Sequence, residues 1–340
     1  MKKLIKKLSD MRGVSGFEYR LNKEVANELL PYCDEVRIDP LGSVIAVKYC
    51  NKEDAPSVMI EAHCDEIGLI ATSVTDEGFI TFSSVGGIDL RILPSLEVTV
   101  HGKRDVKGII GIKPDYLNEP GKSIKMRDMA IDTGVENIKD IVSVGDSITI
   151  AQSVGKLGKK QWSGKTLDDR ASLAAVIRAM KKLCNKELNA DVYAVAAVQE
   201  EVGLRGGKTT GYGINPTVAI AIDVTHGITP DNSKRAFELG KGATISVGPN
   251  IHPKLSKRLF DTAEKYGIKA VAEVDGGCTG TDAWEMQTAG NGVPTALLSL
   301  PLKYMHTAVE TIDINDAKAV SDLLIHFIED MEEDVSWLSL

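Results

Sequence analysis

Apolar positions along the chain switch between a helical rhythm and short continuous runs, and the order of the switches divides the chain into three parts. Leu4, Ile5 and Leu8 recur at helical spacing among Lys2, Lys3, Lys6 and Lys7, which predicts an amphipathic first helix. Leu21, Val25, Ala26, Leu29 and Leu30 predict a second over residues 18–30. Strand-like runs follow at 35–38 and 43–49, then a buried strand at 57–62 that runs into His63-Cys64-Asp65. From about 66 to 164 the texture changes. β-prone runs at 68–74, 79–83, 97–100, 106–112 and 146–150 are separated by Gly, Pro and Asp turns, the spacing of a small barrel or sandwich. Residues 114–127 read as a long loop. From 165 onward helices (169–183, 255–266 with Gly267 as C-cap, 314–331) alternate with continuous apolar runs (192–198, 218–222, 294–300) typical of strands buried on both faces. Residues 205–213 read as a turn, because Gly206-Gly207 lacks the spacing of a phosphate-binding loop.

Alternating strands and helices imply an α/β fold, a mostly parallel or mixed sheet covered by helices. The simplest assembly builds one α/β domain from residues 1–65 plus 165–340 and treats 66–164 as a β-rich insertion. That insertion leaves after His63-Cys64-Asp65 and returns before Asp168, so it roots beside the most chemically loaded segments.

Composition narrows the function classes. The formal net charge is −8, with no basic stripe, which argues against nucleic acid as a partner. No apolar run approaches the roughly 20 residues needed to span a bilayer, so no membrane association is expected. The lysine-rich N-terminus lacks the apolar stretch of a signal peptide. Five cysteines without a C-x-x-C spacing point to reduced thiols. These features together predict a cytoplasmic protein.

Metal-type ligands gather at the carboxyl ends of the predicted core strands, where open α/β sheets bind ligands. His63 and Asp65 follow one strand, Glu200-Glu201 another, and Asp223 a third. His306 follows a fourth, and Asp168-Asp169-Arg170 opens a helix. Two histidines and three carboxylates form a nitrogen and oxygen donor set suited to Zn, Co or Mn. Two-metal hydrolases need such a set, with a bridging carboxylate and a water that loses its proton to a carboxylate base. Of Glu200 and Glu201, one can ligate and the other serve as base, because neighbours on an extended segment point to opposite sides.

The segments His63-x-Asp65, Leu167-Asp168-Asp169-Arg170, Gln199-Glu200-Glu201-Val202-Gly203, Asp223-Val224-Thr225-His226 and Tyr304-Met305-His306, with Gly280-Thr281-Asp282-Ala283, resemble the ordered motifs of the tetrahedral (TET-type) aminopeptidases. These cocatalytic metallo-aminopeptidases also go under the names glutamyl aminopeptidase and endoglucanase M. The resemblance spans essentially the whole chain. It implies a zinc-exopeptidase-like mixed sheet sandwiched by helices, with an inserted small β-barrel as dimerisation domain. It implies two divalent metal ions per subunit, zinc or cobalt first. His63 and Asp223 would bind one ion, Glu201 and His306 the other, and Asp168 would bridge them. Glu200 would be the general base for a metal-bridging water, and Asp65 would orient His63. A cis peptide is implied between Asp168 and Asp169. Short peptides would be the substrates, and dimers would assemble into a homo-oligomeric dodecamer. Three positions depart from the family pattern: Cys64 stands where methionine is usual, Ser172 where glycine is common, and Ala308 where proline is frequent.

Taken singly, each piece has a plainer reading. His63 passes for a structural histidine, Asp168-Asp169 for a helix cap, Glu200-Glu201 for the start of a solvated loop, Asp223 for a turn residue and His306 for an exposed one. His101, His252 and His326 sit in structural or solvent-facing contexts, while His226 stands near enough to Asp223 for a supporting role. Two other functions use parts of the same pattern. One is a related dinuclear exopeptidase or N-acyl amidohydrolase. The other is a polysaccharide-degrading enzyme, disfavoured by an aromatic content of only 5% and by the metal-free carboxylate pair that glycosidases use.

Overall fold

Alternate residues of the central strands face two different helix layers. Val58, Ile60 and Ala62 join one hydrophobic cluster with Val192, Ala194, Val218 and Ile220. Met59, Val195, Ala197, Ala219 and Ala221 join another on the opposite face. A strand's two-residue side-chain period makes both faces apolar, so the sheet must be covered on both sides. In the computed structural model, which describes residues 1–112, 124–232 and 236–339, helices supply those covers. Lys2–Asp10, Tyr19–Leu29, Leu167–Leu183, Pro253–Lys265 and Ile314–Glu329 pack on the first face. Arg205–Ile214 and Asp282–Gln287 pack on the second.

Among the described residues the sheet has eleven strands in a mixed arrangement. Ser57–His63 is central, parallel to Asp191–Ala197 on one side and to Val218–His226 on the other. Val218–His226 in turn pairs parallel with Thr295–Lys303. Register brings the chemistry together: Ala197 sits opposite His63, and Asp223 opposite Ser299. The carboxyl ends of these four parallel strands therefore open on one edge, as the continuous apolar runs predicted.

The strands Gly68–Val74, Ile80–Val85, Glu97–His101, Asp105–Ile112, Met129–Asp132 and Ser147–Ile150 close into a separate six-stranded barrel around Leu69, Ile80, Val98, Ile110 and Ile148. The fold is thus an α/β mixed sheet between helix layers with a small β-barrel inserted. The hairpin Gly155–Leu157 and Gln161–Gly164, within the residues that the sequence assigned to the insertion, pairs instead with Glu310–Asp313 at the edge of the large sheet. Its few residues carry little periodicity, and only that long-range pairing places them. Most of the loop expected at 114–127 lies outside the described residues. Among the described residues no helix is long and apolar enough to cross a membrane.

Two expectations change. Residues 205–213 form a helix rather than a turn. Glycines disfavour helices in isolation, but close packing requires them here. A Cβ at Gly206 would lie 2.5 Å from the Val198 carbonyl oxygen, and one at Gly207 would collide with Asp282. Asp223 lies inside its strand, which runs on to His226, rather than just after it.

Candidate metal centre

His63 is the last residue of a strand buried from Val58 onward and is itself 2% exposed. Its Nε2 lies 3.1 Å from Asp168 Oδ1. Asp168 stands at the opening of the Leu167–Leu183 helix, where the backbone departs from helical geometry and the Asp168–Asp169 peptide is cis, as the resemblance implied. Asp168 Oδ2 lies 3.4 Å from His306 Nε2, which is also 3.3 Å from Glu201 Oε2. Tyr304 and His306 both adopt positive φ, bending the chain back over the sheet edge after the Thr295–Lys303 strand. Gln199 does the same after Asp191–Ala197 and delivers Glu200 and Glu201 to that edge.

A single cavity of about 360 Å³ is lined by His63, Asp168, Glu200, Glu201, Asp223 and His306. Asp65 is fully buried behind His63, its Oδ1 3.3 Å from His63 Nδ1. Donor atoms of His63, Asp168 and Glu201 lie within 4.8 Å of one another, and so do those of His63, Asp169 and Asp223. The second group contains Asp169, a residue whose sequence context alone suits a helix cap.

The electrostatics fit divalent cations. Burial pushes the Glu200 carboxyl up to about 10, against the pull of His63. Burial, reinforced by the Asp168 carboxylate, holds Asp223 well above the usual carboxylate range. Asp169 rises likewise from burial and from Asp223, and neither of its oxygens has a protein hydrogen-bond partner. Burial opposes a charged ring at His306, yet the Asp168 and Glu201 carboxylates outweigh it and hold its pKa at about 11. Buried carboxylates repel and resist ionisation unless positive charge is supplied. Hard oxygen and imidazole donors in this density suit a divalent ion.

A buried scaffold holds the donors, and much of it was not anticipated. Glu310 Oε2 accepts the Asp168 N–H at 3.0 Å and its Oε1 the His306 N–H at 3.0 Å, so one carboxylate ties two candidate ligands together. The only trace of this in the sequence is its position four residues after His306. The fully buried Arg170 donates to the Cys64 and Leu8 carbonyls and pairs with Glu66, which also pairs with Lys165 at 2.5 Å. Glu61 and Asp282 are buried close together beneath the cavity; burial and their mutual repulsion push Glu61 well up. Gly280, Thr281 and His226 line the cavity. Cys64 is buried and its thiol donates to Asn22 Oδ1, apart from the donors. His101 bonds Asp105 and Thr149 on the barrel, and His326 stacks on Tyr266 with ring centroids 3.9 Å apart. Both lie outside the constellation, as does His252, which immediately precedes the Pro253–Lys265 helix.

Residues 42–323 match the family model described as M42 glutamyl aminopeptidase. A lysyl aminopeptidase of Pyrococcus furiosus is 36% identical over 97% of both chains. The solved structure of an aminopeptidase from the archaeon Desulfurococcus kamchatkensis superposes with a TM-score of 0.92 at 34% identity, covering 99% of this chain and 96% of that one. A Pyrococcus horikoshii TET1 peptidase, described as able to assemble into a tetrahedron or a large octahedral shell, superposes with a TM-score of 0.86 at 32% identity, covering 97% and 99%. The likeness covers nearly the whole length of these relatives, and the chain belongs to the M42 glutamyl aminopeptidase family of metallo-aminopeptidases, hydrolases acting on peptide bonds.

Proposed function

We propose that this enzyme releases N-terminal residues from short peptides with two divalent cations, zinc or cobalt, in each subunit. His63 and Asp223 would hold one, Glu201 and His306 the other, with Asp168 shared. The observation that carries this reading is the approach of His63 and His306 to opposite oxygens of one Asp168 carboxylate, at 3.1 and 3.4 Å. A carboxylate presented to two imidazoles in this way has the form of a bridging ligand. Divalent cations held by these residues would supply Lewis acidity, polarising a carbonyl and making water more acidic.

The protein's own groups do the rest. Glu200 takes the proton of the attacking water and returns it to the leaving nitrogen. Asp65 keeps the His63 ring oriented through Nδ1 and fixes the Glu200 backbone. Burial of the donors removes competing water and strengthens each interaction.

Prolonged chelation should abolish cleavage of aminoacyl anilides, and zinc or cobalt should restore it at two ions per chain. Free peptides should be cleaved and their N-acetylated forms spared. Preference for the acetylated form would favour the amidohydrolase reading, and persistence of activity after metal removal would reject the assignment. For assembly, we propose that the barrel mediates dimers which close into a dodecamer. The tetrahedron or octahedral shell described for the horikoshii relative supports a closed homo-oligomer. Light scattering should give about twelve times the chain mass, and a monomer would exclude it. Reduced thiols in all five cysteines are in keeping with a cytoplasmic setting.

A further inference from the structure

The cavity has more charge than its constellation of ligands requires. Two carboxylates on its wall, Glu273 and Asp275, belong neither to the proposed ligands nor to the base. Among the described residues that line the cavity there is no Lys or Arg, and the basic-type side chain facing these acids is His226, at the exposed end of its strand.

Glu273 is locked in place. Its Oε1 accepts the Thr225 hydroxyl at 2.5 Å and its Oε2 the Thr244 hydroxyl at 2.8 Å. Two neutral donors fix the carboxylate without cancelling its charge, and roughly two of its four acceptor positions stay free. Asp275 follows at the end of the same Ala270–Val274 strand, tied by its N–H to the Val247 carbonyl at 3.0 Å. Gly248 permits that approach, because a Cβ there would lie 1.9 Å from the Asp275 carbonyl oxygen. The acidic wall is therefore preformed.

Its distance from the reaction centre is set by the strand. Thr225, which holds Glu273, lies two residues beyond Asp223 on the same face of Val218–His226. At about 3.3 Å per residue that is a displacement of roughly 7 Å. A lysine side chain spans five bonds, or about 6 Å, from Cα to its ammonium.

We propose that Glu273 and Asp275 form the pocket for the first side chain of the peptide, and that this enzyme prefers N-terminal lysine and arginine. The proposal rests on the aminopeptidase reading above. A cationic side chain gives the two carboxylates on this wall their counter-charge. An acidic one meets like charge and an apolar one leaves the wall uncompensated.

The test is kcat/KM of the metal-loaded enzyme on the 4-nitroanilides of Lys, Arg, Leu and Glu. Lys and Arg should exceed Leu by at least about tenfold and Glu by at least about a hundredfold. Glu273→Gln should lower the Lys-to-Leu ratio at least about tenfold, mainly through KM, and Glu273→Lys should shift preference toward Glu. Ratios within one preparation are independent of the fraction that folds. Cleavage with Leu or Glu equal to or better than Lys would overturn the pocket assignment and leave the aminopeptidase intact. So would Lys-to-Leu ratios unchanged in both Glu273→Gln and Asp275→Asn. Cleavage of none of the four by metal-loaded protein would overturn both.

Discussion

The carboxylate of Asp65 accepts the backbone N–H of Glu200 at 3.1 Å, joining the end of one core strand to the turn after its neighbour. The same carboxylate accepts the Glu201 N–H at 3.2 Å and the Ser15 hydroxyl at 2.6 Å, and sits 3.3 Å from His63 Nδ1. One fully buried group thus sets the position of a proposed ligand, a second proposed ligand and the proposed base. Asp65→Ala should weaken metal binding about 10- to 100-fold, read by competition with a chromophoric chelator. Affinity within a factor of two of wild type would show that the ligands hold themselves.

Glu200→Gln should retain two metals and an unchanged melting temperature while kcat falls at least about a hundredfold, the range of a lost general acid–base group. Near-normal turnover on aminoacyl anilides would assign the proton to another group.

Glu310→Ala should act on structure and metal together. It leaves the Asp168 and His306 N–H groups without their acceptor, and each orphaned buried donor costs about 1–3 kcal/mol. Differential scanning calorimetry of the metal-free chain should show the loss. Metal analysis of the purified variant should show fewer than two ions. Normal values of both would mean that water replaces this carboxylate.

Arg170→Met should destabilise the chain by about 3–5 kcal/mol, the cost of breaking a buried ionic network and leaving Lys165 as the one cation beside Glu66 among the described ion pairs. Denaturant titration of the metal-free protein measures this. A midpoint shift worth less than about 1 kcal/mol would mean that the carbonyl contacts of Arg170 are replaced by solvent.

Glu18 predicts a pH dependence. Burial, with a smaller contribution from Asp65, raises its carboxyl from 4.5 to about 7. A raised folded-state pKa means that the folded chain binds the proton more tightly than the unfolded one. Its stabilising contribution is complete below pH 4.5 and is lost as pH rises through about 7, up to about 3 kcal/mol in all. Relative to Glu18→Gln, wild type should therefore lose stability between these limits. A difference between the two that stays flat with pH would contradict this.

The legible part of the molecule was the part with local periodicity. The Ile314–Glu329 helix announces itself through Ala317, Val320, Leu324 and Phe327, which are all buried. The Ser57–His63 strand does so through Val58, Met59, Ile60 and Ala62, broken only by Glu61. The donor residues were legible because histidines and acids are rare at the ends of such runs, and five of them in order formed a pattern. The Arg205–Ile214 helix was not legible, because its glycines answer to Val198 and Asp282 across the fold rather than to helix propensity. The Met129–Asp132 strand, which closes the barrel, has too few residues to show a period.

By itself the sequence determined the longer strands and helices and which residue types stand at their ends, because side-chain periodicity is a property of neighbours in the chain. Tertiary structure alone decided that Glu310 binds Asp168 and His306, that Asp169 joins the donors, and that Glu273 faces the cavity from an edge strand. A buried carboxylate leaves no local pattern. Its partners are chosen by strand register and sheet order, which bring together groups that lie 4 to 142 residues apart along the chain.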